Sequence, residues 1–165
     1  TLSGRMGQGT VGVLHDGLLT VIEPNGWEHQ VQIDQDLVTD YWLDPANQAL
    51  IQVTIIGADS GETFRAERKR YSKDLVEVMY ERRLTDLTFA FGDLSEEHGY
   101  VLIEFYGREQ TSGVMMRGLA RIQDFGSYTA FASVLVPDTE YESIADIALY
   151  ILLSLTIDES VPLPQ

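Results

Sequence analysis

The chain has 165 residues, a net charge of −15 and 44% hydrophobic residues, which suits one domain with its own core and is too apolar for a disordered tail. It contains no cysteine, which excludes disulfides, thiolate zinc sites, iron–sulfur clusters and cysteine nucleophiles. Residues 1–64 carry nine acids against Arg5 alone, residues 122–165 carry seven acids and no Lys or Arg, and seven of the eleven basic residues lie within 65–83. A surface so negative repels phosphate backbones and anionic membranes, so nucleic acid is not expected as a partner. No run of 18 apolar residues is present and no signal-peptide pattern is visible, so no membrane span is expected. The first residue is Thr1, which leaves a removed signal or anchor, and the compartment, open.

Residues 1–10 are small, polar and glycine-rich and read as a flexible arm, with a single domain over 11–158 and an irregular tail over 159–165. Within the arm, GQGTVG at 7–12 matches the G-x-G-x-x-G spacing of a dinucleotide loop. That loop needs a core strand before it and a helix after it, so that backbone amides meet a pyrophosphate at the helix N-terminus. TLSGRM precedes it and the strand-like VGVLHDGLLTVI follows, so the glycines read as arm or turn.

Branched residues at 18–22 read as a strand, PNGW at 24–27 as a tight turn, and the alternation of HQVQI at 29–33 as a second strand, together a hairpin. Strands at 37–43 and 49–56 pair across the turn DPANQ. An amphipathic helix is expected over 60–84, with Phe64, Tyr71, Leu75, Val78 and Met79 on its apolar stripe and Glu77 four residues after Lys73. Strands follow at 87–91, 99–107, 114–123 and 127–136. Their short connections SEEHG, REQTSG and DFG imply antiparallel neighbours. A last helix is expected over about 140–157, with Thr139 and Glu142 at capping-box spacing and acids in its first turn. From 144 to 157 Asp146 is the one charge, so this helix is covered on most sides or meets a partner protein.

Strands, helix, meander and helix make an α+β class fold. The order, with the motifs VIEPNGW at 21–27, GYVLIEFYG at 99–107 and ILLSLTI at 151–157, resembles the superfamily of the PsbP proteins of photosystem II, the Ran-binding Mog proteins and the DcrB-like proteins, including the Eag chaperones of type VI secretion. The resemblance covers about residues 17–158. It implies an α/β/α sandwich around one mostly antiparallel sheet, with two main helices (about 60–84 and 140–157). It also implies a binding or assembly role without catalysis, and transfers no ligand residues.

His15, His29 and His98 each have acidic neighbours, but no metal-ligand spacing joins them, and DQDLVTD lacks the Gly and final Glu of an EF-hand loop. No G-x-S-x-G is present, and carboxylate pairs mean little among 26 acids. No enzyme, cofactor or metal is therefore expected. The expected role is a non-catalytic accessory or assembly protein that docks on another protein or a multi-subunit complex. The alternatives are a chaperone-like binder of apolar client helices and a small-molecule or metal-binding domain. Residues proposed to meet the partner are Trp27, Trp42, Tyr150, Leu153, Arg65 and Lys69.

Overall fold

The structure is a computed structural model that describes residues 9–44, 49–57, 60–95 and 99–165. In chain order its elements are β1 (Gly9–Leu14), β2 (Leu19–Pro24), β3 (Glu28–Asp34), β4 (Leu37–Asp44), β5 (Ala49–Ile56), α1 (Ser60–Ala66), α2 (Arg68–Tyr80), β6 (Leu84–Ser95), β7 (Tyr100–Glu109), β8 (Met115–Asp124), β9 (Thr129–Pro137), a 3-10 turn (Asp138–Glu140), α3 (Tyr141–Ser154) and β10 (Thr156–Ile157). A seven-stranded antiparallel sheet runs β3-β4-β5-β9-β8-β7-β6, and a three-stranded sheet runs β1-β2-β10. The class is α+β, and helices cover both faces of the large sheet.

The two central strands show why. Every residue of β9 and all but the last of β5 are buried, and both sequences are dense in branched or small apolar residues. Their side chains alternate between two cores. On one face Val38, Trp42, Ile51, Val53 and Val134 meet Leu19 and Val21 of the small sheet and Ile144, Ala148 and Ile151 of α3. On the other, Leu50, Phe131, Ile103, Phe105 and Ile122 meet Phe64 of α1 and Val76 and Tyr80 of α2. Each such side chain contributes roughly 1.5–3 kcal/mol of transfer free energy. Phe105 lies across the ladder from Gly118, where an added Cβ would overlap its ring, so the glycine makes room for the aromatic.

Local chemistry and tertiary pairing part company at four places. The expected hairpin of 18–22 with 29–33 does not form. PNGW is a turn, with Gly26 at φ 81° and the Trp27 N–H donating to the Pro24 carbonyl at 3.4 Å, but it hands the chain from one sheet to the other. β3 instead pairs with β4 across Gln35 and Asp36, the latter at φ 62°. The arm expected over 1–10 overlaps β1 at Gly9 and Thr10, and residues 1–8 lie outside the described residues.

The helix expected over 60–84 is two helices. Glu67 leaves helical geometry at φ −143°, ψ 67°, and α2 ends at Tyr80. The break resets the phase of the stripe, so Val76 and Tyr80 turn inward while Val78 turns out, 60% exposed. The last helix also stops short. Leu155 is extended, and Thr156 and Ile157, both β-branched, pair with Thr20 and Leu19 of β2. No side-chain cap forms at its start. The 3-10 turn supplies the entry, and Ser143 Oγ donates to the Glu140 carbonyl at 2.8 Å, so the Thr139–Glu142 box is not used.

The 37–43 and 49–56 strands do pair as β4 and β5, and the meander follows its expected order. Residues 45–48 of the DPANQ turn and 96–98 of SEEHG lie outside the described residues. Beyond β10 the chain is irregular and lies against the body, where Tyr128 OH donates to the Val161 carbonyl at 2.7 Å.

Candidate functional site

Where the small sheet meets the large one, an imidazole–carboxylate cluster around a buried aspartate joins them. Asp40 on β4 is wholly buried. Its two carboxylate oxygens accept from His15 Nε2 at 2.6 Å and His29 Nε2 at 2.7 Å. His15 reaches it from the β1–β2 turn, where His15, Asp16 and Gly17 all have positive φ (55°, 58° and 93°). A histidine tolerates that conformation better than most residues, and the imidazole–carboxylate bond offsets the strain. His29 stacks on Trp42 with centroids 4.8 Å apart and planes 4° from parallel. Trp42 Nε1 donates to Glu23 Oε1 at 3.1 Å, and Glu23 packs over Gly12, where a Cβ would overlap it. Thr10 Oγ1 donates to Asn25 Oδ1 at 2.7 Å. These bonds fix the β1–β2 hairpin in place. Both imidazole Nε2 atoms face Asp40, and no group of three or more His, Asp or Glu among the described residues is arranged to hold a metal ion. His98 lies outside the described residues.

The hairpin so held forms one wall of a cleft of about 480 Å³, whose other wall is α3. Val11, Ile22 and Trp27 face Ile147, Tyr150 and Ile151, with Ile51 and Asp44 also lining it. The volume lies within the range of ligand-sized sites. Asp44, itself buried, is the one charged residue among the described lining residues. Of the lining residues Val11 is 66% exposed and Tyr150 43%; Val13, 66% exposed, is on the same face of β1 as Val11, and Leu153, 46% exposed, follows Tyr150 along α3. Neither α3 nor β1, β2, β4 and β5 carries a Lys or Arg; the cations nearest α3 are Arg117 and Arg121 of β8, which reach Glu142 and the Leu152 carbonyl.

The six residues proposed from sequence separate accordingly. Trp27 and Tyr150 line the cleft, and Leu153 lies one helical turn beyond Tyr150. Trp42 is a correction: it is 1% exposed, its ring stacked and its N–H bonded in the core, so it presents nothing outward. Arg65 and Lys69 belong to α1 and α2, across the large sheet from the cleft, and Arg65 is ion-paired with Asp124. Sequence reasoning missed Val11, Ile22 and Ile147, because nothing local shows that β1 and α3 are neighbours.

GQGTVG does not form a nucleotide-binding loop. Gly9–Gly12 is strand, and a β-turn into β2 follows where a nucleotide loop needs a helix; Gly7 and Gln8 lie outside the described residues. Nor is there an open apolar concave sheet face among the described residues. The central strands are covered on both sides, and edge strand β3 exposes Val31 and Ile33 among polar neighbours. Among the described residues no helix is long and apolar enough to cross a membrane.

No family model and no curated protein matches the sequence. Solved structures match in shape. The solution structure of cyanobacterial PsbP (CyanoP) from Synechocystis sp. PCC 6803 superposes with a TM-score of 0.61 at 11% identity, covering 92% of this chain and 93% of that one. LpqN of Mycobacterium tuberculosis, a protein involved in cell envelope biogenesis, superposes at 0.52 and 14% identity, over 91% of this chain and 90% of its own. A Bacteroides thetaiotaomicron protein matches at 0.51 and 12% identity, and this chain, 92% covered, spans about half of it (49%). At such identities the likeness is one of fold: the chain has the PsbP-like fold that its three motifs and element order resemble.

Proposed function

We propose that this protein is a non-catalytic accessory or assembly protein that docks on a partner protein through the cleft between α3 and the β1–β2 hairpin. The observation that carries the proposal is the cleft with exposed Val11 and Tyr150 in its lining, continued by exposed Val13 on the same strand face and Leu153 one turn further along α3. Large exposed apolar groups clustered around a concavity mark interaction surfaces, and an aromatic such as Tyr150 anchors them. The PsbP-like fold supports the same reading by analogy.

The test is the size of the native assembly in extracts of the source cells. Wild type and Val78→Arg, altered on the opposite side of the sheet, are expected to elute in an assembly larger than the chain. Tyr150→Arg/Leu153→Arg is expected to elute as monomer with its thermal stability little changed, since both positions are exposed. Retention of the double variant in the assembly would count against the cleft. A second reading, an apolar small molecule as occupant, is favoured by the cleft's volume alone; a wild type that is monomeric in extract supports it over docking.

A further inference from the structure

We propose that the partner presents an extended segment, apolar at alternate positions and carrying Lys or Arg, which adds as a strand to the free edge of β1 and lays its side chains in the cleft. The proposal rests on the docking reading above and names the partner's chemistry.

The edges of the two sheets carry the inference. An edge strand exposes unpaired backbone N–H and C=O groups, and proteins protect such edges with charge, proline, bulges or brevity. Among the described strands, β10 is two residues long. β6 has two register shifts in its pairing with β7 and a positive φ at Asp86, so its edge is irregular. β3 carries Glu28, His29, Gln30, Gln32 and Asp34, so polar groups line it.

β1 has none of these protections. Among the described residues it is hydrogen-bonded to β2 on one side only, in unbroken register from Gly9↔Pro24 to Leu14↔Leu19. Its sequence GTVGVL contains no charge and no proline, and Val11 and Val13 stand 66% exposed on one face. That face is the wall of the cleft, since Gly9 and Val11 line it. A strand added beside β1 would therefore place every second side chain toward α3, next to Tyr150.

Charge selects the segment. Asp146 is exposed one turn before Tyr150, the described elements that line the cleft carry no Lys or Arg, and the two arginines that reach α3 from β8 are engaged there, Arg117 with Glu142 and Arg121 with the Leu152 carbonyl. An acidic segment would meet like charge there, and a basic one is attracted.

Surface display of random peptides about 12 residues long tests this, with selection on wild type and counter-selection on Val11→Lys/Val13→Lys. Both substitutions are at exposed sites, and unchanged thermal unfolding confirms that the variant is folded. Enriched peptides are expected to alternate apolar and polar residues, to carry net positive charge, and to bind wild type about tenfold or more tightly than the double-lysine variant. N-methylation of alternate backbone amides in one phase is expected to abolish binding, and in the other phase to leave it intact. Enrichment of helical-period or acidic peptides, equal binding to the variant, indifference to N-methylation, or no enrichment at all would overturn the proposal. These outcomes separate from the docking reading: if Tyr150→Arg/Leu153→Arg leaves the native assembly while selected peptides are helical, the cleft stands and strand addition falls.

Discussion

Asp40→Ala is expected to lower the stability of the protein by about 2–5 kcal/mol, roughly 1–3 kcal/mol for each of the two imidazole hydrogen bonds whose buried acceptor it removes. The carboxylate is inaccessible to water and satisfies two imidazoles from different parts of the chain, one in the β1–β2 turn and one on β3. Its loss leaves both His15 and His29 without the acceptor their Nε2 atoms face. Asp40→Asn keeps the volume and one carbonyl but turns an amide N–H toward a ring nitrogen. It is expected to cost less, about 1–3 kcal/mol, provided that ring changes tautomer. Urea titration monitored by circular dichroism measures both. Hydrogen exchange is expected to rise first in β1 and β2, because His15 is the tie from their turn to the large sheet. A loss below about 1 kcal/mol in the alanine variant would mean that the cluster is not assembled as described.

The second large effect is alkaline. Tyr80 is fully buried against Phe105, its hydroxyl 2.6 Å from Ser133 Oγ, and burial pushes its pKa up from the ordinary 10.0 to about 12. Between those values the unfolded chain releases the phenolic proton and the folded chain keeps it. Its contribution is therefore full below pH 10 and is lost as pH rises toward 12, about 3 kcal/mol at roughly 1.4 kcal/mol per unit. Tyr41, Tyr71 and Tyr141 are raised by burial as well and act in the same direction. Tyr80→Phe is expected to lose about 1 kcal/mol at neutral pH, with the hydrogen bond, and to lose less further stability than wild type between pH 10 and 11.5. Parallel stability curves for the two proteins over that interval would show that Tyr80 ionises as freely in the fold as outside it.

How far the sequence was legible depends on where the deciding interaction lay. The branched and aromatic residues of ALIQVTII and GYVLIEFYG announce strands by residue type, and short connections make neighbours of the meander strands. The apolar run from Ile144 likewise announces α3. PNGW announces a turn, yet a turn states only that the chain changes direction. Whether the flanking strands join one sheet is settled by β10, which pairs with β2 from the far end of the chain. The break at Glu67 has no Gly or Pro to mark it, and with it the inward face of α2 moved off Val78 onto Val76 and Tyr80.

The site divides in the same way. Trp27 and Tyr150 stand out by residue type, and both line the cleft. In the sequence the acids nearest His15 and His29 are Asp16 and Glu28. Their acceptor Asp40 lies 25 and 11 residues away, within reach only after β3 has paired with β4 and the hairpin has packed over both.

The most direct measurement of the docking claim is site-specific photo-crosslinking in the source cells, with a photoreactive phenylalanine analogue at Tyr150 and, separately, at Val78. A discrete adduct with one partner protein is expected from position 150 and none from position 78, which is more open to solvent (60% against 43%) but lies across the sheet. No adduct from 150, or the same adducts from both positions, would contradict a partner seated in the cleft between α3 and the β1–β2 hairpin.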